Sequence, residues 1–389
     1  MPKLRPTIIA GCLIAITVAL LLRLRAPDAF LTPHFFAEDL YIFWMQERRL
    51  GIAAFWRSYA GYLHLFPRSG AAITSIAPYA HQPVIYLALA VLGSVWTALT
   101  IATARLPVGL GIAFGIALFL VSHEGEAWAR LTNIQWIMAC ALPVIAATRA
   151  PTHACARANQ LAFTLVAGLS GPFAAFAIPL WLARLVRAWP ARERFGFLIG
   201  VTGLVTGLVQ AACVIAAKIP PAVKSDPDPL RLAAALIDRS ALIHVSALGW
   251  VAGAALMAAL LVAAVTAREG RYLRLALLGF AALIAVTVFV RFYRAPEVVT
   301  NPHAAPRYLF IQSVMVLWIA ISLAWQSGRF ARVAGIAAAL IMTVRTPLPF
   351  ARGDQLIVHE WPMKHHLIDK ERVEIGFPPG WRVVINAKP

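Results

Sequence analysis

Long apolar runs follow one another along this chain, among them Pro83–Ala104 and Ala241–Ala267. Each is long enough to cross about 30 Å of hydrocarbon as a helix. The expected fold class is therefore an all-α polytopic membrane protein. Composition agrees: 60% of the residues are hydrophobic and 13% charged, against about half and a quarter in soluble domains.

The runs fall at about 7–22, 83–104, 107–121, 134–148, 159–183, 196–217, 241–267, 275–290, 308–325 and 333–343. Ten simple spans would put the basic stretch Arg184, Arg187, Arg192, Arg194 on the wrong side and invert every later loop. The run 159–183 is interrupted by Gly168-Leu169-Ser170-Gly171-Pro172, and Gly and Pro at mid-run break or re-enter a helix. Splitting it there gives about 11 passes, within a range of 10–12. Loops 2–6, 105–106, 149–158, 184–195, 268–274 and 326–332 then share one side. They hold 14 of the 35 Lys/Arg but only 2 of the 17 acids, Glu193 and Glu269. That density assigns them to the cytoplasm. The expectation is a bacterial inner-membrane protein with a cytoplasmic N-terminus and a periplasmic C-terminus. Residues 1–343 form one transmembrane domain, with interfacial helices in a first outer loop at 23–82, and 344–389 form a short periplasmic segment.

The formal charge of +18 would suggest nucleic acid in a soluble protein, but no basic stretch interleaved with aromatics lies on a soluble domain. Topology and an anionic lipid substrate account for it better, with membrane lipids as partners. Cys12, Cys140 and Cys213 lie in apolar runs and Cys155 in a basic loop, without metal-site or disulfide spacing. Lys3 and Arg5 precede an apolar stretch that Arg23 and Arg25 follow without a small-residue cleavage site, which reads as an uncleaved signal anchor.

On the outer side, Phe35-Phe36-Ala37-Glu38-Asp39-Leu40-Tyr41-Ile42-Phe43-Trp44 joins an acidic pair to an amphipathic aromatic stretch suited to the interface. Tyr62, His64 and Arg68 follow. The second outer loop carries His123, Glu124, Glu126, Arg130 and Asn133, and the loop near residue 300 carries Arg294, His303, Arg307 and Tyr308. Ionisable groups at that depth are costly and usually mark a substrate path. A carboxylate could take a proton from an incoming hydroxyl, and arginines could hold a phosphate leaving group. Each also has a plain alternative: an interfacial charge, a packed histidine, a snorkelling anchor. The loose spacing of His359, His365 and His366 does not suggest a metal site. No GxxxxGK[ST], GxSxG or HExxH motif occurs, and no matched hydrophobic halves suggest a transporter.

The order of these elements resembles the polytopic membrane glycosyltransferases of the GT-C superfamily, particularly bacterial members. The pieces are Ala37-Glu38-Asp39, Tyr59-Ala60-Gly61-Tyr62-Leu63 with Pro67-Arg68, Asn133-Ile134-Gln135-Trp136, Leu169-Ser170-Gly171-Pro172-Phe173, Pro306-Arg307-Tyr308 and Pro378-Pro379-Gly380-Trp381. The resemblance implies a sugar donor on a polyprenyl phosphate, transfer with inversion on the periplasmic face, and a glycan or lipid acceptor in the cell envelope. It also implies a first-loop general base, mapped onto Glu38-Asp39 with Asp39 favoured. Glu38 then either supports Asp39 or binds a divalent cation, Mg or Mn; no cofactor is required. The large outer domains of better-known members are absent. The rival expectations are a polymerase or ligase of lipid-linked glycans, dependent on outer arginines, and a lipid or polysaccharide transporter without covalent chemistry.

Overall fold

The computed structural model describes residues 4–121, 126–217, 228–241, 247–300, 306–326, 328–344, 360–370, 372–377 and 380–386. Helices dominate. Among the described residues, those long and apolar enough to cross a membrane are Tyr79–Ala102, Arg194–Ala216, Arg271–Phe292 and Arg307–Trp325, with mean hydropathies of 2.1, 2.1, 2.4 and 1.9. The last is the most enclosed, 78% of its apolar window being buried. Helix α1 (Leu4–Arg25) packs against α2 (Gln82–Ala102), which pairs with α3 (Val108–Ala117). Beyond the second loop the chain forms α4 (Ile134–Ala139) and α5 (Ala141–Ala147), a single apolar stretch in sequence.

The mid-run interruption is a real break. Helix α6 (Ala154–Gly168) stops at Gly168, and the chain resumes as α7 (Phe173–Phe176) and α8 (Ile178–Ala188). A Cβ on Gly168 would fall 2.3 Å from Thr206 Oγ1, on α9 (Arg194–Ala216), so the end of α6 sits tightly on α9. The broken backbone is satisfied by the first loop. Leu65 N–H donates to the Leu169 carbonyl at 2.9 Å and Phe66 N–H to Ser170 Oγ at 2.8 Å. A non-helical segment inside an apolar run needs such protein partners.

The basic turns gather at the other end of α6, about 22 Å away by helix rise. Arg184 donates to the carbonyls of Ile145, Thr148 and Gly196, and Glu193 Oε1 accepts from Ala150 N–H at 2.5 Å. Farther on, α10 (Pro229–Ala241), α11 (Ala247–Thr266), α12 (Arg271–Phe292), α13 (Arg307–Gln326) and α14 (Arg329–Val344) complete the bundle. Helix α13 lies against α14, α12 and α3.

The C-terminal segment adds two strands: β1 (Val373–Phe377) and β2 (Trp381–Ile385), antiparallel with Ile375 opposite Val383. Val373, Ile375 and Phe377 alternate inward, the period of a half-buried strand. Gly380 at φ +98° accommodates the return. The segment docks on the same face as the first loop. Trp361 Nε1–H donates to the Tyr79 carbonyl at 2.9 Å, and Arg48 pairs with Asp369 at 2.8 Å.

Candidate active site

Two residues in left-handed backbone bracket the site: Ala37 at φ +46° and Ala129 at φ +53°. Such strain in a non-glycine residue persists only where surrounding structure enforces it, and it concentrates at functional sites. Ala37 turns the chain into Glu38 and Asp39, which open a wide π-type turn, Asp39–Trp44. Turns of this kind recur at functional positions. Ala129 turns the second loop towards Arg130 and Thr132.

The two loops meet at the carboxylates. Asp39 is 2% exposed, and its Oδ1 accepts the Thr132 backbone N–H at 2.8 Å. Burial pushes its carboxyl up to about 8, against the opposing pull of the Thr132 bond and the Arg130 charge; the neighbouring Glu38 charge pushes it further up. Glu38 is half-buried. Tyr59 O–H donates to its Oε1 at 3.4 Å and Thr132 Oγ1–H to its Oε2 at 3.5 Å. Burial and the Glu38 charge raise the Tyr59 hydroxyl to about 12. The half-buried Tyr62 is raised chiefly by desolvation, with Tyr308, Arg307 and Glu38 all close enough to act on it.

A cation closes the cluster. Arg307, the first residue of α13, forms an ion pair with Glu126, and its backbone N–H donates to Glu126 Oε2 at 3.5 Å. The Arg307 charge also reaches Glu38, Tyr59 and Tyr62. Beside it an aromatic wall forms from Tyr308, Trp136 and Phe173: Tyr308 lies 5.5 Å from Trp136, and Trp136 lies 4.6 Å from Phe173. Tyr308 also meets Phe292 at 4.8 Å. Arg130 sits on the Phe36 ring and shares a 2.6 Å contact with His34 Nε2.

Other sequence candidates have structural surroundings. His64 is 1% exposed, stacked on Tyr62 at 4.5 Å and bridged to Ser170; burial first, then the Arg68 charge, hold its imidazole down at about 3. Arg68, also buried, donates to Gln46 Oε1 at 2.6 Å and to the Arg57 carbonyl at 3.0 Å, beneath the Phe43 ring. Burial lowers it to about 10. Asn133 Nδ2–H donates to the Glu126 carbonyl at 2.8 Å and so braces the second loop. Arg294 is exposed and lies against Tyr293. His123, Glu124 and His303 lie outside the described residues.

Thr132, Tyr59 and Gln135 join the cluster without having stood among the candidate site residues, and Glu126, one of the second loop's ionisable groups, joins it through Arg307. Gln135 Nε2–H donates to the Thr132 carbonyl at 3.2 Å, while its buried Oε1 has no partner among the described residues. Gly171, at φ +136°, leaves room for that oxygen: a Cβ there would fall 2.6 Å from it. Among the described residues no group of three or more His, Cys, Asp or Glu side chains is arranged to hold a metal ion. No family model matches the chain, and neither a curated protein nor a solved structure matches it.

Proposed function

We propose that this protein is a membrane glycosyltransferase that moves a sugar from a polyprenyl-phosphate donor to a cell-envelope glycan or lipid. The observation that carries the reading is the meeting of the Glu38-Asp39 carboxylates with Arg307, Tyr59 and Tyr62 beside an aromatic wall. In such a transfer an acceptor hydroxyl oxygen attacks the anomeric carbon from the face opposite the phosphate. The C–O bond to phosphate breaks, the polyprenyl phosphate leaves with that electron pair, and the hydroxyl proton passes to a carboxylate.

A base must lie within reach of the proton it takes. Asp39 is sealed beneath Thr132, whereas Glu38 is half-buried, so Glu38 is the carboxylate an incoming hydroxyl meets. Asp39, favoured on sequence grounds, becomes the positioning residue under it. Arg307 is suited to the phosphate because a guanidinium presents paired donors, and Glu126 holds it until substrate arrives. Tyr308, half-buried and backed by the buried Trp136 and Phe173, offers an aromatic face to the prenyl chain or the sugar. A divalent cation at Glu38 stays part of the proposal only through that side chain.

The same proposal includes about eleven passes, a bacterial inner-membrane location and a periplasmic site. Its support is the gathering of basic turns at one end of α6 and of the carboxylates, the chain break and the C-terminal segment at the other. The test is sugar transfer from a labelled polyprenyl-phosphate donor in membranes carrying wild type, Glu38→Gln or Asp39→Asn at equal protein level. Loss of transfer in Glu38→Gln supports the reading. Full transfer by both variants sinks it.

A further inference from the structure

At the end of the bundle remote from the carboxylates, Arg105, Arg149, Arg157, Arg192 and Arg194 line a cleft of about 640 Å³. It lies between the turns that follow α2, α5 and α8. Among the described residues Glu193 is the one acid in its wall, and that carboxylate accepts the Ala150 N–H. Arg157 is fixed by a 2.9 Å bond from its Nε–H to the Pro151 carbonyl and by the Phe195 ring, 5.5 Å away. Its two terminal nitrogens take no part in that bond. Arg105, Arg149, Arg192 and Arg194 have exposed side chains that no hydrogen bond or ion pair engages among the described residues. Arg192 also holds left-handed backbone, φ +51°, which is costly for a non-glycine residue. Basic residues spread over a solvated face would minimise their mutual repulsion; here five surround one concavity.

The wall of the cleft continues into apolar surface. Leu198 lines it and is 44% exposed, and along the same helix Val205 and Val209 are 51% and 37% exposed. Spacings of seven and four residues put these three on one side of α9. Trp189, 75% exposed in the same turn, is an interfacial residue type. A cationic pocket that opens onto an outward apolar stripe matches a molecule with an anionic head and a hydrocarbon tail.

We propose that this cleft binds the phosphate of an anionic membrane phospholipid, with an acyl chain lying along Leu198, Val205 and Val209. Guanidinium groups suit the head because they offer paired donors to phosphate oxygens, and clustered cations beside a span favour anionic lipid. The site is distinct from the proposed transfer site and stands whether or not that activity is correct.

The test uses full-length protein purified in detergent, with phosphatidylglycerol and phosphatidylcholine as probes and bound lipid counted by native mass spectrometry. Wild type is expected to retain phosphatidylglycerol over phosphatidylcholine. Arg149→Gln, a change at an exposed side chain, is expected to weaken retention about fivefold, the worth of one cation near such a surface. Arg105→Gln/Arg149→Gln/Arg194→Gln is expected to lose about a hundredfold. Arg329→Gln/Arg332→Gln, exposed arginines outside the cleft, is the control and is expected to retain lipid as wild type does. Equal retention by wild type and the Arg149→Gln protein overturns the proposal, as does equal loss in the control. Inorganic phosphate at millimolar concentration separates the two sources of the anion. If it raises the melting temperature as much as phosphatidylglycerol does, the cleft is a soluble-anion site and the lipid assignment fails.

Discussion

The backbone N–H of Thr132 donates to Asp39 Oδ1 at 2.8 Å, joining two loops 93 residues apart in sequence. The bond holds a carboxyl that burial keeps at about 8. Its unfolded value is about 3.9. Between those values the folded state retains a proton that the unfolded state has released. Asp39 therefore costs no stability below about pH 4, and the protein loses stability as pH rises towards 8. The expected result is a wild-type melting temperature that falls from pH 5 to pH 8 relative to Asp39→Asn, which lacks the titrating group. Thermal unfolding in detergent across that range measures it; parallel curves for the two proteins would refute the assignment.

Glu38 and Asp39 separate by the kind of loss each causes. Glu38→Gln removes the reachable proton acceptor and is expected to lower kcat by about 10² to 10⁴, the usual worth of a general base. Asp39→Asn keeps an acceptor for the Thr132 N–H and is expected to cost roughly tenfold, by loss of positioning within that same scheme. Steady-state transfer assays resolve the two. A larger loss in Asp39→Asn, with Glu38→Gln near wild type, would return the base role to Asp39.

Arg307 and Glu126 form a partly buried pair, their side chains 25% and 9% exposed. Removing one partner strands the other. Glu126→Gln is expected to destabilise by about 2 to 3 kcal/mol, below the loss from a fully buried pair because a quarter of Arg307 reaches solvent. Arg307→Gln loses a similar amount and additionally weakens donor binding. In Glu126→Gln/Arg307→Gln much of the stability returns while donor affinity stays low. A double-mutant cycle on unfolding, run beside donor binding, checks both halves.

Much of this architecture is legible in the sequence. The break at Gly168–Pro172 shows as Gly and Pro inside an apolar run, because those residues act on their own backbone. Glu38 and Asp39 stand out as an acidic pair in an aromatic segment. Their partners do not, since Thr132 carries no charge and meets Asp39 through its main chain. Glu126 finds Arg307 across 181 residues, a pairing that only helix packing decides. Arg68 looks like Arg307 in sequence, but its side chain is used within the first loop, on Gln46 and the Arg57 carbonyl. His64 is likewise consumed by packing. The hairpin at 373–385 escapes an all-α reading because its alternation spans only five residues per strand.

Gly171 is the backbone position on which the site's geometry turns. At φ +136° an alanine is strained, and its Cβ would lie 2.6 Å from Gln135 Oε1. Gly171→Ala is expected to cost about 1 to 3 kcal/mol, the range for overpacking. Because Gln135 supports the Thr132 carbonyl, the displacement passes to the loop that holds Asp39. Transfer should fall more steeply than stability at a temperature where the variant is still folded. Unchanged transfer in a well-folded Gly171→Ala protein would remove Gln135 from the support of the site.

Trp361 ties the C-terminal segment to the first loop. It is 4% exposed, donates to the Tyr79 carbonyl at 2.9 Å, and lies 4.6 Å from Phe35 and 5.5 Å from Trp44. Phe35 stands four residues before Asp39 and Trp44 ends the turn that Asp39 begins, so this contact grips the acidic turn from outside. Trp361→Ala removes about 3 to 5 kcal/mol of local packing. The Arg48–Asp369 pair cannot replace it, being exposed on the Asp369 side and worth at most about 1 kcal/mol. The expected outcome is release of residues 360–386 while the helical bundle stays folded, seen as protease cleavage after the Trp361→Ala change and not in wild type. Transfer activity should fall with that release, because the acidic turn loses its outer support. A variant that resists protease as wild type does would show that the hairpin is held by other contacts.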